Sequence, residues 1–544
     1  MPDGQVQDTV QGRQDVPARA DVVVVGAGFS GIYLVHLLRA QGFDVCVLEQ
    51  GDGVGGTWYW NRYPGARCDI ESVQYGHKYL PDLEQDWDWS ERYAAQPELL
   101  DYANEIADRL DVRRNMCFGR KVRRAAYDED AHEWTLTCDT GEAISAPFYI
   151  MATGCLSVPN EVPFPGRETY KGPTYQTGAW PHTEVDFTGQ TVCVIGTGSS
   201  AIQSIPIIAS QASDLTVFQR TPNYAVPAHN KDLDDVYRAA IKADYSGIRE
   251  RQQASFAAAD FDVSYTKVGA EMTPDTMQPI MERRWAEGGL GFGACFSDQL
   301  LDKGVNDVVA EFVRDRIREK VKDPGTAELL CPTNTIGAKR LCVDINYFET
   351  YNLPHVHLVD VSKDPISISP EGVVTGGKTY PADAIVYATG FDAMTGAILK
   401  VDIEGRGGAR LSDHWAEGPR TYLGLMVSGF PNLFTVTGPH SPSVFTNMTA
   451  SLEQHCEWIT DCLVTMRAEG QTEIEATAPA EAAWIEHNAE VGAAHLRSSS
   501  ASWYTGENIA GKPVGFMPYI GGYAAYKEKC EAVAAEGYTG FTRT

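Results

Sequence analysis

The chain has 544 residues, which is too long for a single hydrophobic core and predicts about two to four domains. With 43% hydrophobic and 10% aromatic residues it is expected to be globular, and no apolar run approaches the about 18 residues that a membrane span needs. The net charge of −28 argues against nucleic acid and anionic membranes as partners, because both attract clustered Lys and Arg.

The N-terminal residues 1–20 are polar and lack an apolar stretch, so they are expected to form a flexible tail and not a signal peptide. The twelve cysteines contain no C-x-x-C pair and no metal-ligand spacing. We therefore expect reduced thiols, no metal site and a cytoplasmic protein. No obligate protein partner is evident from the sequence.

The first predicted element is a strand of four valines, Val22–Val25, typical of a parallel strand buried on both faces. Three glycines follow at G-x-G-x-x-G spacing: Gly26, Gly28 and Gly31. A helical pattern comes next, and then a second strand that ends at Glu49, where a carboxylate can accept ribose hydroxyls. An empty glycine turn is the alternative, but strand, turn, helix, strand and acid in this order favour a dinucleotide site.

A glycine- and aromatic-rich loop runs from Gly55 to Asp69. Its glycines allow close approach of the backbone to a ligand, and its aromatic rings are suited to covering a flat ring system; core packing is the alternative. Residues 99–110 have a helical pattern, and three short alternating runs predict an antiparallel layer and a return strand: 121–127, 134–138 and 149–151. The return strand leads into Ala152-Thr153-Gly154, at the edge where open α/β sheets bind ligands.

The same pattern then recurs. A strand at 191–195 leads into G-x-G-x-x-A at Gly196, Gly198 and Ala201, and a following strand is predicted at 215–218. This second strand ends in Gln219-Arg220-Thr221 where the first unit has an acid. A carboxylate there repels a 2′-phosphate, whereas an arginine donates charge-assisted hydrogen bonds to it. The first unit thus fits FAD or NAD and the second fits NADP, with a merely solvated Arg220 as the alternative.

Residues 224–336 have helical patterns, most clearly at 307–322, and are predicted to be an insertion that serves as a substrate cap or only enlarges the core. The second unit resumes near 356–358 and ends with a second strand-to-ATG turn at 384–392; beyond it a strand at 433–436 and a helix at 452–466 are expected. The predicted fold is α/β, with two Rossmann-like dinucleotide-binding domains, for FAD and NADP, and a helical insertion in the second. The predicted boundaries are 21–155 with 391–544 for the FAD domain, 156–223 with 337–390 for the NADP domain, and 224–336 for the insertion.

Flavin disulfide reductases and flavin monooxygenases both carry two such units. The reductases need a redox-active cysteine pair near the flavin. Because this sequence has no such pair, the monooxygenases are favoured. From Gly55 to Asp69 the sequence resembles the type I Baeyer–Villiger monooxygenases of the cyclohexanone monooxygenase group. Their motif [A/G]-G-x-W-x₄-[F/Y]-P-[G/M]-x₃-D is met in full by Gly55, Gly56, Trp58, Tyr63, Pro64, Gly65 and Asp69. The resemblance covers nearly the whole chain after the tail, and includes GAKR around Arg340, ATGFD at 388–392, GPH at 438–440 and Ser502-Trp503.

One family fingerprint, F-x-G-x-x-x-H-x-x-x-W-[P/D], is altered. It reads Tyr170, Gly172, Gln176, Trp180 and Pro181. The change from His to Gln176 removes a titratable group and keeps a hydrogen-bonding side chain. The resemblance implies that this change affects the coupling between NADP and the linker rather than the fold.

The resemblance implies that NADPH reduces FAD, that the reduced flavin takes up O₂ as a C4a-peroxide, and that this attacks a ketone to give an ester or lactone. It implies that Arg340 is the cation that stabilises the negative oxygen and that Asp69 orients it; without the family, Arg340 and Lys339 would be a solvated pair. Lys339 and Arg220 would bind the 2′-phosphate, and Trp503 the nicotinamide half. Together, the resemblance and the glycine motifs predict these cofactor-binding residues: Gly26, Gly28, Gly31, Glu49, Gly56, Thr57, Trp58, Asp69, Val122, Gly196, Gly198, Ser199, Arg220, Thr221, Lys339, Arg340 and Trp503.

The substrate is not evident from the sequence. Phe430, Phe445 and Trp503 suggest an apolar pocket, so a small, cyclic or bicyclic ketone is expected beside O₂, and sulfide oxidation would accompany ketone oxidation. The nearest alternative is an N- or S-oxygenating flavin monooxygenase. An alternative of another class is a flavin protein that only senses NADP(H), although the presence of both Arg340 and Asp69 argues against it.

Overall fold

Two five-stranded parallel sheets form the framework of the protein in the computed structural model, which describes residues 12–13, 15–260, 267–498 and 500–544. The strands of the first sheet, in spatial order, are Leu433–Thr435, Phe148–Met151, Val22–Val25, Val45–Leu48 and Met116–Cys117. Val22 pairs with Val45 on one side and with Phe148 on the other. We call this sheet and its helices the first unit.

The second sheet belongs to the second unit. Its strands, in spatial order, are Val356–Asp360, Asp214–Gln219, Thr191–Ile195, Ala384–Tyr387 and Thr174–Gln176. In each unit a helix crosses over between the central strand and its neighbour, as parallel pairing requires: Phe29–Ala40 in the first unit and Ser199–Gln211 in the second. The α/β fold with two Rossmann-like units is confirmed.

Smaller sheets flank these two. A four-stranded sheet orders Asp402–Glu404, Val122–Asp128, Glu133–Cys138 and Ala143–Ala146. A three-stranded antiparallel sheet contains Ser367–Ser369, Gly372–Thr375 and Lys378–Pro381. Two strand pairs complete the set: Ala225–Pro227 with Cys342–Asp344, and Ile474–Ala476 with Phe541–Arg543.

The remaining helices cover the sheets. The longer ones are Gln96–Arg109, Asp235–Ala254, Pro274–Glu287, Lys303–Lys320, Met448–Glu469, Ala478–Ala493 and Tyr523–Ala535. The shorter α-helices are Thr57–Trp60, Ser72–Tyr75, Pro81–Asp86, Pro324–Leu330, Tyr347–Thr350, Gly396–Leu399 and Leu411–His414. Short 3₁₀ turns occur at Arg113–Asn115, Arg167–Thr169, Thr177–Ala179, Gly269–Glu271, Leu290–Ala294, Arg406–Gly408 and Ser443–Phe445.

The valine run explains the position of the first sheet. Val22, Val23 and Val24 have no exposed surface, so neither face of the strand meets solvent. Burial of each such side chain contributes roughly 1.5–3 kcal/mol. The central strand therefore holds the glycine turn that follows it at a fixed place in the core.

The segment predicted as an insertion is largely helical but does not form a separate layer. Met277, Phe292, Phe312 and Val313 belong to the same hydrophobic cluster as Val192 of the second sheet. The helix Asp235–Ala254 instead packs through Tyr237 and Ile241 on the core of the first unit. The segment thus contacts both units, and its role as a cap remains a prediction.

The prediction of a flexible tail over residues 1–20 is wrong for its last residues. Residues 1–11 and 14 lie outside the described residues. Ala20 is buried, and its backbone N–H donates to the Ser145 carbonyl at 3.1 Å. Ser145 in turn donates to the Ala18 carbonyl at 3.0 Å. Backbone pairing does not depend on side-chain polarity, so the polar composition did not reveal this strand-like contact.

Two crossing segments, 155–160 and 389–394, connect the units and bind each other. The Asn160 backbone N–H donates to the Gly390 carbonyl at 3.0 Å, and that of Asp392 donates to Val158 at 2.8 Å. Gln176 donates from Nε2 to the Asn160 carbonyl at 2.6 Å. The amide at position 176 therefore holds a crossing segment through a hydrogen bond that needs no titratable group.

Candidate active site

The first glycine turn, Gly26–Gly31, depends on two glycines for different reasons. Gly26 has a φ of +110°, and a Cβ there would lie 2.5 Å from the Ala152 carbonyl oxygen. At Gly31 a Cβ would lie 2.0 Å from the Gly26 oxygen, so only glycine lets the helix approach the strand this closely. The turn thereby presents the N-terminus of helix Phe29–Ala40 at the carboxyl edge of the sheet.

The aromatic-rich loop is attached to this turn. Gly55 donates its backbone N–H to the Ala27 carbonyl at 3.0 Å, and a Cβ on Gly56 would lie 2.9 Å from the Gly28 Cα. Thr57 is exposed beside this contact. Trp58 is buried, and its indole N–H donates to the Tyr75 hydroxyl at 3.2 Å, so this ring holds the loop and faces the core.

Glu49 lies under the same turn. Its side chain is buried, and its two oxygens accept the Ala27 N–H at 2.8 Å and the Gly51 N–H at 2.7 Å. Burial raises the pKa of Glu49 above its ordinary value, against the backbone N–H groups that lower it. Val122 is buried in the four-stranded sheet, in one cluster with Val25 and Leu48. Glu49 lies at the turn, where its role toward a ribose stays a prediction, while Val122 packs with the ends of the neighbouring strands.

The second glycine turn, Gly196–Ala201, repeats this geometry. Gly198 precedes the helix Ser199–Gln211, and the nearest atom to a Cβ built on it is Asn223 Nδ2 at 3.9 Å. Ser199 is exposed at the first position of that helix. The Thr197 hydroxyl donates to the Thr221 carbonyl at 2.9 Å and joins the turn to the end of the next strand. This open helix N-terminus fits a phosphate group.

Two cations lie at the end of that strand. Arg220 is exposed, Lys339 is half-buried, and burial and the charge of Arg220 both lower the pKa of Lys339. Within the part of the chain that the structure describes, no Asp or Glu forms an ion pair with either. Two neighbouring cations without an acid between them fit a dianionic 2′-phosphate.

Arg340 and Asp69 meet where the two units face each other. Arg340 donates from Nε to Asp69 Oδ2 at 2.5 Å and from Nη2 to Oδ1 at 2.8 Å. Its Nη1 donates to the Val444 carbonyl at 2.6 Å, so three of the five guanidinium N–H groups are engaged. The loop that carries Asp69 also reaches the second unit, because the Tyr63 hydroxyl donates to Gln203 at 2.8 Å.

The charge of Arg340 is permanent. Burial alone lowers its pKa, but the Asp69 carboxylate and its hydrogen bonds more than reverse that effect, and the pKa lies above its ordinary value. The side chains of Arg340 and Asp69 are 26% and 20% exposed, so the pair is partly screened from water. A fixed cation in such a place can stabilise negative charge on oxygen.

An aromatic cluster lies next to this pair. Trp503 packs on Tyr504 with ring centroids 4.1 Å apart, and Tyr504 packs on Phe445 at 4.5 Å. Burial raises the pKa of Tyr504 to about 12, although the charge of Arg340 opposes this. Tyr504 was not predicted as a site residue; its place beside Trp503 in the sequence was the available signal.

The prediction that Phe430 shares a pocket with Phe445 and Trp503 is wrong. Phe430 is fully buried in the cluster between the first sheet and the four-stranded sheet, near His414. Phe445 and Trp503 instead pack around the crossing segments. An aromatic residue in a sequence marks core as readily as pocket, which explains the error.

Within the described residues, no group of three or more His, Cys, Asp or Glu side chains is arranged to hold a metal ion. None of the described helices combines the length and apolar character needed to cross a bilayer. All twelve cysteines are free and buried. Cys46 and Cys117 approach within 3.9 Å, but they lie inside the first sheet.

The chain is similar to known proteins over nearly its whole length. A family model described as pyridine nucleotide-disulphide oxidoreductase matches residues 23–269. An acetone monooxygenase (methyl acetate-forming) of Gordonia sp. strain TY-5 is 39% identical over 96% of this chain and 98% of its own. A Baeyer–Villiger monooxygenase of Pseudooceanicola batsensis is 40% identical over 97% of both chains, and a phenazine N-monooxygenase of Lysobacter antibioticus is 38% identical over 96% of both.

Solved structures agree with these relatives. An oxidized steroid monooxygenase bound to NADP is 47% identical, with a TM-score of 0.92 over 96% of this chain and 99% of that one. A structure of OTEMO in complex with FAD and NADP is 38% identical, with a TM-score of 0.93 over 97% of this chain and 100% of that one.

Proposed function

The chain belongs to the Baeyer–Villiger monooxygenases, and on this premise we propose that it inserts one oxygen atom of O₂ beside the carbonyl of a ketone. Ketone, O₂, NADPH and a proton give an ester or lactone, NADP⁺ and water. FAD and NADPH are its cofactors; bound FAD, once reduced by NADPH, supplies the activation of O₂. The single observation that carries the proposed site is the Asp69–Arg340 pair.

The first unit is suited to FAD. The first glycine turn presents the N-terminus of helix Phe29–Ala40, which is suited to a diphosphate, Thr57 is exposed beside it, and Glu49 lies where a ribose is expected. The second unit is suited to NADPH, with the diphosphate at Gly198 and the 2′-phosphate between the two cations. Trp503 would contact the nicotinamide half, because its ring lies in the aromatic cluster beside Arg340.

Arg340 is proposed to act on the reacting oxygen atoms. Attack on a ketone moves negative charge to the carbonyl oxygen, and a preorganised cation stabilises that charge without reorganising during the reaction. The two guanidinium N–H groups that remain beyond the described bonds are free for this task. Asp69 is a positioning residue that fixes the orientation of the guanidinium through two hydrogen bonds.

The test is product analysis with the purified holoprotein. Cyclohexanone, cyclopentanone and a bicyclic ketone are each incubated with NADPH and O₂, and ester or lactone is measured beside NADPH consumption. We expect about one product molecule for each NADPH consumed. Binding of NADPH with neither its consumption nor an oxygenated product from any of these ketones would contradict the proposal and favour a flavin sensor.

N-oxygenation is the second candidate, because a phenazine N-monooxygenase is 38% identical to the chain. It would need an aromatic nitrogen as the nucleophile and no carbonyl adduct. An N-oxide from phenazine with no ester from any ketone would favour this candidate. A sulfoxide formed together with an ester would be consistent with the main proposal.

The domain boundaries and the location are also proposals. We assign 21–155 and 391–544 to the FAD domain, 156–223 and 337–390 to the NADP domain, and 224–336 to the insertion. The strand pairing of the two sheets supports this division. The free thiols of all twelve cysteines fit a reducing compartment, which supports the cytoplasm.

A further inference from the structure

A second arginine lies on the segments that hold Arg340. Arg497 donates from Nε to the Gly337 carbonyl at 2.9 Å, three residues before Arg340. Its guanidinium carbon lies 4.5 Å from the centre of the Phe445 ring. Phe445 directly follows Val444, whose carbonyl accepts a hydrogen bond from Arg340. The two guanidinium groups are therefore attached to the same pair of loops.

Unlike Arg340, Arg497 has no acidic partner among the residues that the structure describes. Within the described residues its neighbours are a carbonyl, an aromatic ring, the Tyr504 hydroxyl and the positive charge of Arg340. Burial and, to a lesser extent, that like charge lower the pKa of Arg497. A guanidinium that is half-buried and left without an anion is costly. Titratable groups with perturbed pKa values cluster at functional sites, and a bound anion would supply the charge that Arg497 lacks.

The cofactor phosphates are expected elsewhere. The diphosphate of NADPH fits the helix that starts at Ser199, and its 2′-phosphate fits Arg220 and Lys339. Arg497 instead lies in the aromatic surroundings of Phe445 and Tyr504, close to the cation that would face the ketone. The substrate is therefore the remaining source of a negatively charged group that could pair with Arg497.

We propose that Arg497 binds a carboxylate of the substrate, so that the substrate class is a keto acid with an apolar skeleton. This inference rests on the proposed function. A carboxylate can accept two parallel hydrogen bonds from the guanidinium N–H groups. The cation–π contact with the Phe445 ring stabilises the position of the guanidinium. Arg340 then acts at the carbonyl while Arg497 fixes the other end of the molecule.

The test compares 4-oxocyclohexane-1-carboxylate with its methyl ester, two ketones that differ in the charged group. In the parent enzyme kcat/KM should be at least about tenfold higher for the carboxylate, as expected for a charge-assisted hydrogen bond. In Arg497→Met this ratio should fall to about one, because methionine keeps an apolar stem without the charge. Arg497→Lys should give an intermediate ratio of kcat/KM for the two ketones. It also keeps the test possible if the methionine variant does not fold.

A matched control is available in Arg467. Its guanidinium carbon lies 4.2 Å from the Phe43 ring centre, and it donates to the Gln41 carbonyl at 2.8 Å, on the surface of the first unit. Arg467→Met removes an arginine in the same kind of contact, and the parent ratio should persist. Bound FAD is measured in every variant. Cyclohexanecarboxylate, which lacks the ketone, should inhibit the parent competitively with a Ki at least about tenfold lower than in Arg497→Met.

The outcomes separate the two proposals. If the parent forms no ester or lactone from these two ketones or from cyclohexanone, cyclopentanone and the bicyclic ketone, the proposed function fails; if it converts only those three, the inference about Arg497 is overturned. If it forms lactone from both with equal kcat/KM, the function stands and the inference about Arg497 is overturned. It is also overturned if Arg497→Met lowers both activities alike and raises the apparent Kd for NADPH in anaerobic flavin reduction, since the anion would then be a cofactor phosphate.

Discussion

Asp69 and Arg340, 271 residues apart in the chain, meet in two parallel hydrogen bonds of 2.5 and 2.8 Å. Asp69 belongs to the loop attached to the first glycine turn, and Arg340 follows the Lys339 that neighbours Arg220 of the second unit. The pair therefore places a permanent positive charge between the two units, where we propose that the two cofactors meet. The carboxylate orients that charge, and two of the five guanidinium N–H groups remain beyond the described bonds to Asp69 and Val444.

Arg340→Ala should lower the rate of ester or lactone formation by about 10²–10³, the usual cost of losing one group that stabilises an oxyanion. Anaerobic reduction of the flavin by NADPH should continue, because hydride transfer requires a positioned nicotinamide and not this charge. Product formation by gas chromatography and flavin reduction by stopped-flow absorbance measure the two effects separately.

The neighbouring cation provides the control. Lys339→Ala should weaken NADPH binding and leave product formed per NADPH consumed near the parental value. Arg340→Lys keeps the charge but loses the planar fork, so only partial activity is expected. Lactone formation by Arg340→Ala at close to the parental rate would refute the assigned role.

Asp69→Asn should lower kcat while FAD remains bound, because the amide keeps the shape of the side chain and loses the charge that orients Arg340. Residues that act as a unit have non-additive effects. The double variant Asp69→Asn, Arg340→Ala should therefore be no slower than Arg340→Ala alone. A double variant whose rate loss is the product of the two single losses would show that Asp69 acts independently.

Arg220→Ala should reduce the preference for NADPH over NADH. The parent should prefer NADPH at least about tenfold, because each charge-assisted hydrogen bond to the 2′-phosphate contributes about 1.5–3 kcal/mol. The variant should raise the KM for NADPH with little change in that for NADH. Arg123→Ala, which removes an exposed arginine of the four-stranded sheet, is the control. Equal use of both cofactors by the parent would remove the basis for assigning NADPH to the second unit.

Gly31→Ala should yield protein with little or no FAD, since its Cβ would lie 2.0 Å from the Gly26 oxygen. Gly198→Ala should retain FAD, because the nearest atom to its Cβ is 3.9 Å away and belongs to the second unit. The same variant should bind NADPH more weakly, since the methyl group occupies the expected phosphate position. The ratio of flavin absorbance to polypeptide measures the FAD content of each variant. A Gly31→Ala protein that is saturated with FAD would disprove the argument that only glycine fits between the helix and the strand.

Acid should destabilise the protein through a buried histidine. His455 accepts the Thr437 N–H at Nδ1, 2.9 Å away, and its Nε2 lies 2.9 Å from the Tyr526 hydroxyl, an arrangement that suits the neutral ring. Burial lowers the pKa of His455 to about 3. Its contribution to stability is thus complete above the ordinary pKa of about 6.5 and is lost as the pH falls from there toward 3.

The Tm should therefore fall between pH 7 and pH 5, and His455→Asn should make this fall less steep. The substitution should not abolish the fall in Tm, since burial also lowers the pKa of His440, to about 4. Calorimetry at fixed scan rate measures both slopes. Equal slopes for parent and variant would rule out a contribution from His455.

The reliable parts of the sequence interpretation were those set by backbone geometry. Runs such as Val22–Val25 and the two glycine turns restrict residue type strongly, so strand and turn were located from the chain alone. The Asp69–Arg340 contact could not be read in that way, because nothing local links residues so far apart; only the family resemblance singled out Arg340. That Arg497 lacks an acidic partner among the described residues could likewise be seen only in the folded structure, since a basic residue after a helix is ordinarily solvated.

The strand Leu433–Thr435 has a consequence for how the protein is made. It completes the first sheet beside Phe148–Met151, and the later helix Met448–Glu469 binds the crossover helix through Glu457, which accepts a hydrogen bond from Tyr33 at 3.0 Å. On the ribosome the second unit, which ends with strand Ala384–Tyr387, has all its strands before the first unit does. The first sheet therefore cannot be completed until residues 433–435 have been synthesised, after every strand of the second sheet.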